Sequence, residues 1–308
     1  MALEFLTLSF APILIGIFAS IACALPGNFL ILRRQALIGD AISHVVLPGI
    51  VVGFLVSGKV STWPMLLGAA AAAIVAVILI EMIKRLGRIE PGAATGVAFT
   101  AMFAGGVLLL EQTDTSAVHL DVEHALYGSL ESLIWLAPSG WSSLLDPLAL
   151  AELPPELFRM AIAATLIFVL MLIFWRPLKI STFDEGFADA IGIPTTAVGL
   201  GLVISAAVAA VAAFDAVGSI IVIAMFICPP AAARLMTNQL EKQVAWSVLF
   251  AIISAVLGYV LAGYGPLWLG FENAVSAAGM IAAVSGMILA LACIFGPHRH
   301  RSGAPSNA

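Results

Sequence analysis

An aspartate and a histidine four positions apart, Asp40 and His44, stand in the run QALIGDAISHVVLPG at residues 35–49, which is otherwise almost wholly apolar. At i and i+4 of a helix their side chains lie one turn apart on one face, so a carboxylate oxygen and an imidazole nitrogen can converge on a single cation. An aspartate at the middle of a membrane-spanning helix costs about 2.5–3.5 kcal/mol on insertion scales, which asks for a partner or a purpose. Passage of a metal ion supplies both. The structural alternative is a pair that hydrogen-bonds to itself or to neighbouring backbone and fixes helix packing. A carboxylate with an imidazole suits borderline ions such as Mn²⁺, Fe²⁺ or Zn²⁺, and no thiolate stands nearby to suit copper(I). Two ligands are too few for tight chelation, as a path that must release its ion requires. A symmetric or pseudo-symmetric dimer brings two such pairs together and supplies four ligands.

The other polar landmarks are weaker. His119, Asp121, Glu123 and His124 form the cluster HLDVEH, read either as a solvated acidic loop or as a transient metal contact at the mouth of a path. Asp215, in FDAVGS at 214–219, is either the cap of the following helix or a cation contact near the entrance, and the capping role fits better. The run LKISTFDEGFADAIGIP at 178–194 is short and amphipathic. Thr182 or Ser181 is placed to cap it, Asp184, Glu185 and Asp189 decorate one side, and Phe183, Phe187, Ala190 and Ile191 supply apolar anchors. Gly192 and Pro194 stop it before the next apolar segment. It is a plain interfacial helix or a docking element for a partner. The run from Gly53 to Lys59 imitates a phosphate-binding loop, but Val60 stands where a hydroxyl residue belongs and no strand precedes it. No Ser-His-Asp, HExxH or G-x-S-x-G arrangement occurs, so an enzyme reading has little support.

The elements that must position these residues are membrane helices. The chain of 308 residues is 62% hydrophobic and 10% charged, against about 25% charged residues in soluble domains. Its apolar stretches run about 20 residues each, the length a hydrocarbon core demands, and none alternates with a period of two. The expected fold class is all-α: a polytopic transmembrane bundle of nine spans, at 7–26, 36–57, 64–84, 91–111, 155–175, 194–213, 217–236, 244–264 and 272–296. Pro229 and Pro230 should bend the seventh. Arg33, Arg34, Lys84, Arg85, Arg88, Arg176, Lys179, Arg234, Lys242, Arg299 and Arg301 then fall on one side, with only Lys59 and Arg159 opposite. That bias places the N-terminus outside and the C-terminus in the cytoplasm. Residues 112–153 form a polar or interfacial region on the outer face; with its flanks it is rich in carboxylates (Glu111, Asp114, Asp121, Glu123, Glu131, Asp146, Glu152, Glu156), whose field attracts cations or merely solvates the loop. Trp135 and Trp141 suit the headgroup level there. The whole of 1–308 reads as one transmembrane domain, with a cytoplasmic tail at 297–308. Cys23, Cys228 and Cys293 form no CxxC pair and read as small packing residues.

Three segments, RRQALIGDAISHVVLPG (33–49), FDEGFADAIGI (183–193) and FDAVGSIIVIAMFICPPAAARLMT (214–237), together resemble the membrane-spanning permease subunits of ABC importers for divalent transition metals, the manganese, zinc and iron family. The likeness covers nearly the whole chain. It implies that Asp40 and His44 belong to the metal path. It also implies that residues 183–192 are a cytoplasmic coupling helix, with Phe183, Asp184, Glu185, Phe187, Ala188 and Gly192 meeting the ATPase. The third segment is more like the manganese and iron members than the zinc ones. The resemblance implies a bacterial inner-membrane location and three kinds of partner: a cytoplasmic ATPase dimer, a periplasmic or surface metal-binding protein, and a second permease, identical or paralogous. Nucleic acid is not among them. This chain would bind no cofactor, and ATP would sit on the partner. A rival reading is an ATPase-independent secondary carrier using Asp40 as a proton or sodium site. A structural scaffold leaves Asp40 unexplained.

Overall fold

The computed structural model describes residues 2–58, 62–112, 130–268, 270 and 274–298, and among them there is no strand. The long helices are α1 (Ala11–Leu32), α2 (Leu37–Ser57), α3 (Thr62–Gly87), α4 (Pro91–Gln112) and α5 (Pro155–Ile173). Two short ones follow, α6 (Trp175–Phe183) and α7 (Glu185–Ala190), and then α8 (Thr195–Met236), α9 (Leu240–Trp268) and α10 (Ala277–Phe295). Nine stretches among the described residues are long and apolar enough to cross a membrane, two of them within α8. They coincide with the nine expected segments to within a few residues at most ends.

Burial shows which helix is central. Residues 22–30 of α1 are buried without a gap, the pattern of a helix that is apolar all round and enclosed on every side. It packs against α5, α8 and α9, while α2 lies against α3, α4 and α8. Thus α8 touches both the central helix and the helix that carries Asp40 and His44.

α8 is two helices joined at Gly218, whose φ of 76° and ψ of 171° leave the helical region. Arg33, at the end of α1, hydrogen-bonds Ser181 and Thr182 and lies against Gly199, near the start of α8. Gln243, just beyond the end of α8, hydrogen-bonds Asn28 on the same part of α1. Both ends of α8 therefore lie at one end of the bundle, whereas 42 straight helical residues would span about 60 Å. The chain doubles back near Gly218, where a residue without Cβ adopts positive φ at little cost. Gly218 lies at the junction expected between the sixth and seventh spans, while Pro229 and Pro230 are buried and keep helical backbone dihedrals.

The same end of the bundle gathers Arg33, Lys84, Lys179 and Glu241. At the other end, residues 130–151 form short turns rather than a crossing. Trp135 is fully buried rather than placed among headgroups: its Nε1 donates to Ala149 O at 2.9 Å and its ring tilts against Phe10. Trp141 is exposed. Of the acidic residues there, Glu131 accepts from the first backbone N–H of α10, Asp146 caps the turn Pro147–Ala151, and Glu156 pairs with Arg159. These three serve helix termini and a local ion pair. Of the cysteines, Cys23 is buried in the core while Cys293 is exposed.

Candidate functional site

The chain turns from α1 into α2 within four residues. Gln35 N–H donates to Leu30 O and Arg34 N–H to Ile31 O, with Arg34 at φ 57°, which is a Schellman closure built on an arginine where glycine is usual. α2 then starts at Leu37, and Asp40 lies in its first turn. The aspartate is thus near the end of its own helix, not the middle, and the free N–H groups of that turn favour a carboxylate there. The turn nonetheless lies deep in the bundle. Gly39 packs on the ring of Phe226, which stands halfway along the span Ala216–Met236.

One turn on, His44 Nε2 lies 3.3 Å from Asp40 Oδ1. The imidazole stacks on Phe99, with ring centroids 5.7 Å apart, and meets Phe103 edge-on at 5.8 Å; these are i and i+4 positions of α4. The two aromatic walls hold the ring while leaving about 30% of each side chain of the pair exposed. The direct contact expected of a structural pair is present, and it also leaves both heteroatoms near one point on the same open face. Among the described residues no group of three or more His, Cys, Asp or Glu gathers, so one chain offers two ligands.

At the basic end, α7 differs from the expected short helix in its cap. Asp184, not Ser181 or Thr182, accepts from Phe187 N–H at 2.8 Å. The two hydroxyls instead receive Arg33, Ser181 Oγ from Nη2 at 2.7 Å and Thr182 Oγ1 from Nε at 3.0 Å. Burial draws the Arg33 guanidinium below its ordinary value and the nearby Glu185 opposes this. Phe183 at the end of α6, and Phe187 and Ile191 one turn apart on α7 and its C-cap, are each at least half exposed. Ala188 is fully buried and packs within the chain, so it is not itself a contact surface. Gly192 at φ 82° ends the helix as expected, and Asp189 accepts from Thr195 at the start of α8. Arg33, Glu185, Thr195 and the Glu81–Lys84 pair, together with apolar side chains such as Ile38 and Ile80, line a cavity of about 280 Å³.

His119, Asp121, Glu123 and His124 lie outside the described residues. The backbone of Asp215 is helical and precedes the break at Gly218 by three residues, so it occupies a last turn rather than a cap. Phe99, Phe103, Phe226 and the bridging role of Arg33 were not singled out by the sequence. The i, i+4 phenylalanines of α4 were the available signal for an aromatic wall; the Arg33 bridge, spanning 148 and 149 residues, had none.

The ABC 3 transport family matches residues 6–134 and 149–296. The manganese transport system membrane protein MntD of Bacillus subtilis (strain 168) is 37% identical over 284 residues, covering 92% of this chain and 90% of the relative. The zinc transport system membrane protein TroD of Treponema pallidum (strain Nichols) is 37% identical over 287 residues, covering 92% and 73%. Among solved structures, PsaBC from Streptococcus pneumoniae in complex with Fab is similar with a TM-score of 0.73 and 26% identity, over 94% of this chain and 92% of that one.

Proposed function

Since this chain belongs to the ABC 3 transport family, we propose that it forms half of the translocation path of an ATP-driven importer for a divalent transition metal, Mn²⁺ or Zn²⁺. It is a multi-pass permease subunit of the bacterial plasma membrane and not an enzyme, with ATP hydrolysed on a separate chain. The family sets aside a self-sufficient carrier. Identity does not choose between the metals, because the manganese and zinc relatives match equally at 37%. Neither of these two is named for iron.

The observation that carries the metal path is the Asp40–His44 pair, half-open inside a spanning region. A carboxylate facing lipid is costly, so the open face needs a cover. A second permease, identical or paralogous, supplies it and brings its own ligands. Two ligands per chain give coordination weak enough to release the ion onward. The stripe Phe183, Phe187 and Ile191 is the surface for the ATPase, Asp184 and Gly192 bound that helix, and the basic end around it is cytoplasmic, which puts the N-terminus outside. Asp215 and the 119–124 cluster are candidate contacts nearer the outer mouth, where a metal-binding protein would deliver the ion.

The test is radiolabelled Mn²⁺ uptake in cells expressing the complete system, with Zn²⁺ and Fe²⁺ as competitors and membrane abundance measured. Asp40→Ala and His44→Ala should each abolish uptake at equal abundance. Native uptake in both variants would make the pair structural and reject this path.

A further inference from the structure

Four bonds, in three links, close a ring around the basic end of the bundle. Lys179 on α6 pairs with Glu241 on α9, Gln243 on α9 donates to Asn28 on α1 at 3.2 Å, and Arg33 at the end of α1 donates back to Ser181 and Thr182 on α6. The ring joins the segment carrying the exposed apolar residues Phe183, Phe187 and Ile191 to α1 and α9. Only one of its members leads through the chain directly into the helix that carries the site. Arg33 is the C-cap of α1, and the Schellman closure on Arg34 and Gln35 locks the corner into α2. Asp40 follows seven residues later in the first turn of α2, with no loop between them to absorb a displacement.

Arg33 is also well fixed at its other end. Ser181 Oγ donates to Pro177 O at 2.6 Å, so its hydrogen is committed and its lone pairs face the guanidinium. Nη1 lies against Gly199, where an added Cβ would stand 3.1 Å away. Guanidinium is planar with several fixed donors, and it can hold two hydroxyls at once where an ammonium holds them loosely.

We infer that Arg33 is a positioning residue of transport, transmitting movement of the α6–α7 segment to the Asp40–His44 pair through its bonds to Ser181 and Thr182. The inference rests on the proposed function, because it takes α7 as the element that the ATPase moves. Without the bridge, hydrolysis continues while the metal pair no longer follows. The signature is therefore uncoupling rather than inactivity.

The experiment uses the complete transporter, reconstituted in proteoliposomes with its ATPase and metal-binding protein, and reads Mn²⁺ moved per ATP hydrolysed. Loss of two charge-assisted hydrogen bonds should lower that ratio by about tenfold or more in Arg33→Gln, with hydrolysis retained. Ser181→Ala combined with Thr182→Val removes the acceptors without touching a charge, and should reproduce the defect; Arg33→Lys should restore only part of the ratio. Asp40→Ala in the same vesicles separates the two readings. If Asp40→Ala stops transport while the hydroxyl-free variant keeps the native ratio, the transmission role is overturned and the metal path stands. If Asp40→Ala transports normally, the metal path itself is wrong.

Discussion

Replacing Gly39 by alanine should destabilise the protein through one aromatic ring, and removing that ring should relieve it. A Cβ on Gly39 would meet Phe226 at 2.8 Å from Cγ, 2.9 Å from Cδ2 and 3.0 Å from Cβ. Overpacking of this kind costs about 1–3 kcal/mol. Phe226 is 1% exposed, so Phe226→Ala alone leaves a cavity costing about 3–5 kcal/mol. Independent effects would sum to about 4–8 kcal/mol in the double variant. In the double variant, however, two of the three crowding atoms are gone and the new methyl fills part of the void, so the cost should fall short of the sum by about 1–3 kcal/mol. Gly27 provides the control. Its Cβ would stand 2.4 Å from the Phe226 carbonyl oxygen, which survives any change of that side chain. Gly27→Ala with Phe226→Ala should therefore show no relief. The assay is unfolding by SDS titration in mixed micelles for all five variants. Additivity of Gly39→Ala and Phe226→Ala within about 0.5 kcal/mol, or equal relief at Gly27, would refute the packing argument. Because Asp40 is the next residue, Gly39→Ala should also reduce uptake at unchanged membrane abundance.

Uptake should fall as pH falls, since a protonated imidazole has no lone pair for a metal and a protonated carboxyl is a poorer ligand; initial rates between pH 8 and pH 5, with the proton gradient collapsed, check this, and a rate that rises in acid would contradict metal coordination by His44. Phe187→Ala should weaken association with the ATPase while changing permease stability by no more than about 0.5 kcal/mol, because the ring is more than half exposed; co-purification and thermal unfolding measured together decide it. Glu131→Ala should cost about 1 kcal/mol through loss of its bond to Ala277 N–H yet leave the concentration dependence of uptake unchanged, and a weakened apparent affinity would show instead that the outer carboxylate attracts cations.

Features that depend on local spacing were legible in the sequence. Span lengths follow from the hydrocarbon thickness, the Asp40–His44 geometry from the helical period, and the stop at Gly192 from its tolerance of positive φ. Features that depend on what another helix places opposite were not. Ser181 and Thr182 have the chemistry of caps, but Arg33 arrives from the far end of α1 and takes both hydroxyls, so Asp184 caps α7. Trp135 has the amphipathic character of an interfacial residue, yet Ala149 O satisfies its indole N–H and frees the ring to be buried. Pro229 and Pro230 have the chemistry of a break yet keep helical dihedrals, while the reversal falls at Gly218, inside the 214–219 junction that the span lengths already require.

On the proposed metal path, the partial burial of the polar groups would let coupling and release coexist in one small region. Two such pairs closed together from both permeases would hold a divalent ion more tightly than one pair left open, and a fully exposed pair would hold water instead. Asp40 and His44 lie between these extremes: Phe99 and Phe103 pack against the imidazole, and about 30% of each side chain of the pair stays exposed. The strength of the site is then set by whatever covers the open side, and hence by the relative position of α2 and its cover. α2 is tied at its start to Arg33, and Arg33 to α6, so on the proposed metal path a shift of an ångström or two at the basic end would alter the coordination rather than merely open a gate elsewhere. A rigid corner is needed for that, since a flexible loop of even a few residues would dissipate the displacement. The positive φ of Arg34, part of the Schellman closure, is the backbone feature that sets the direction of this corner.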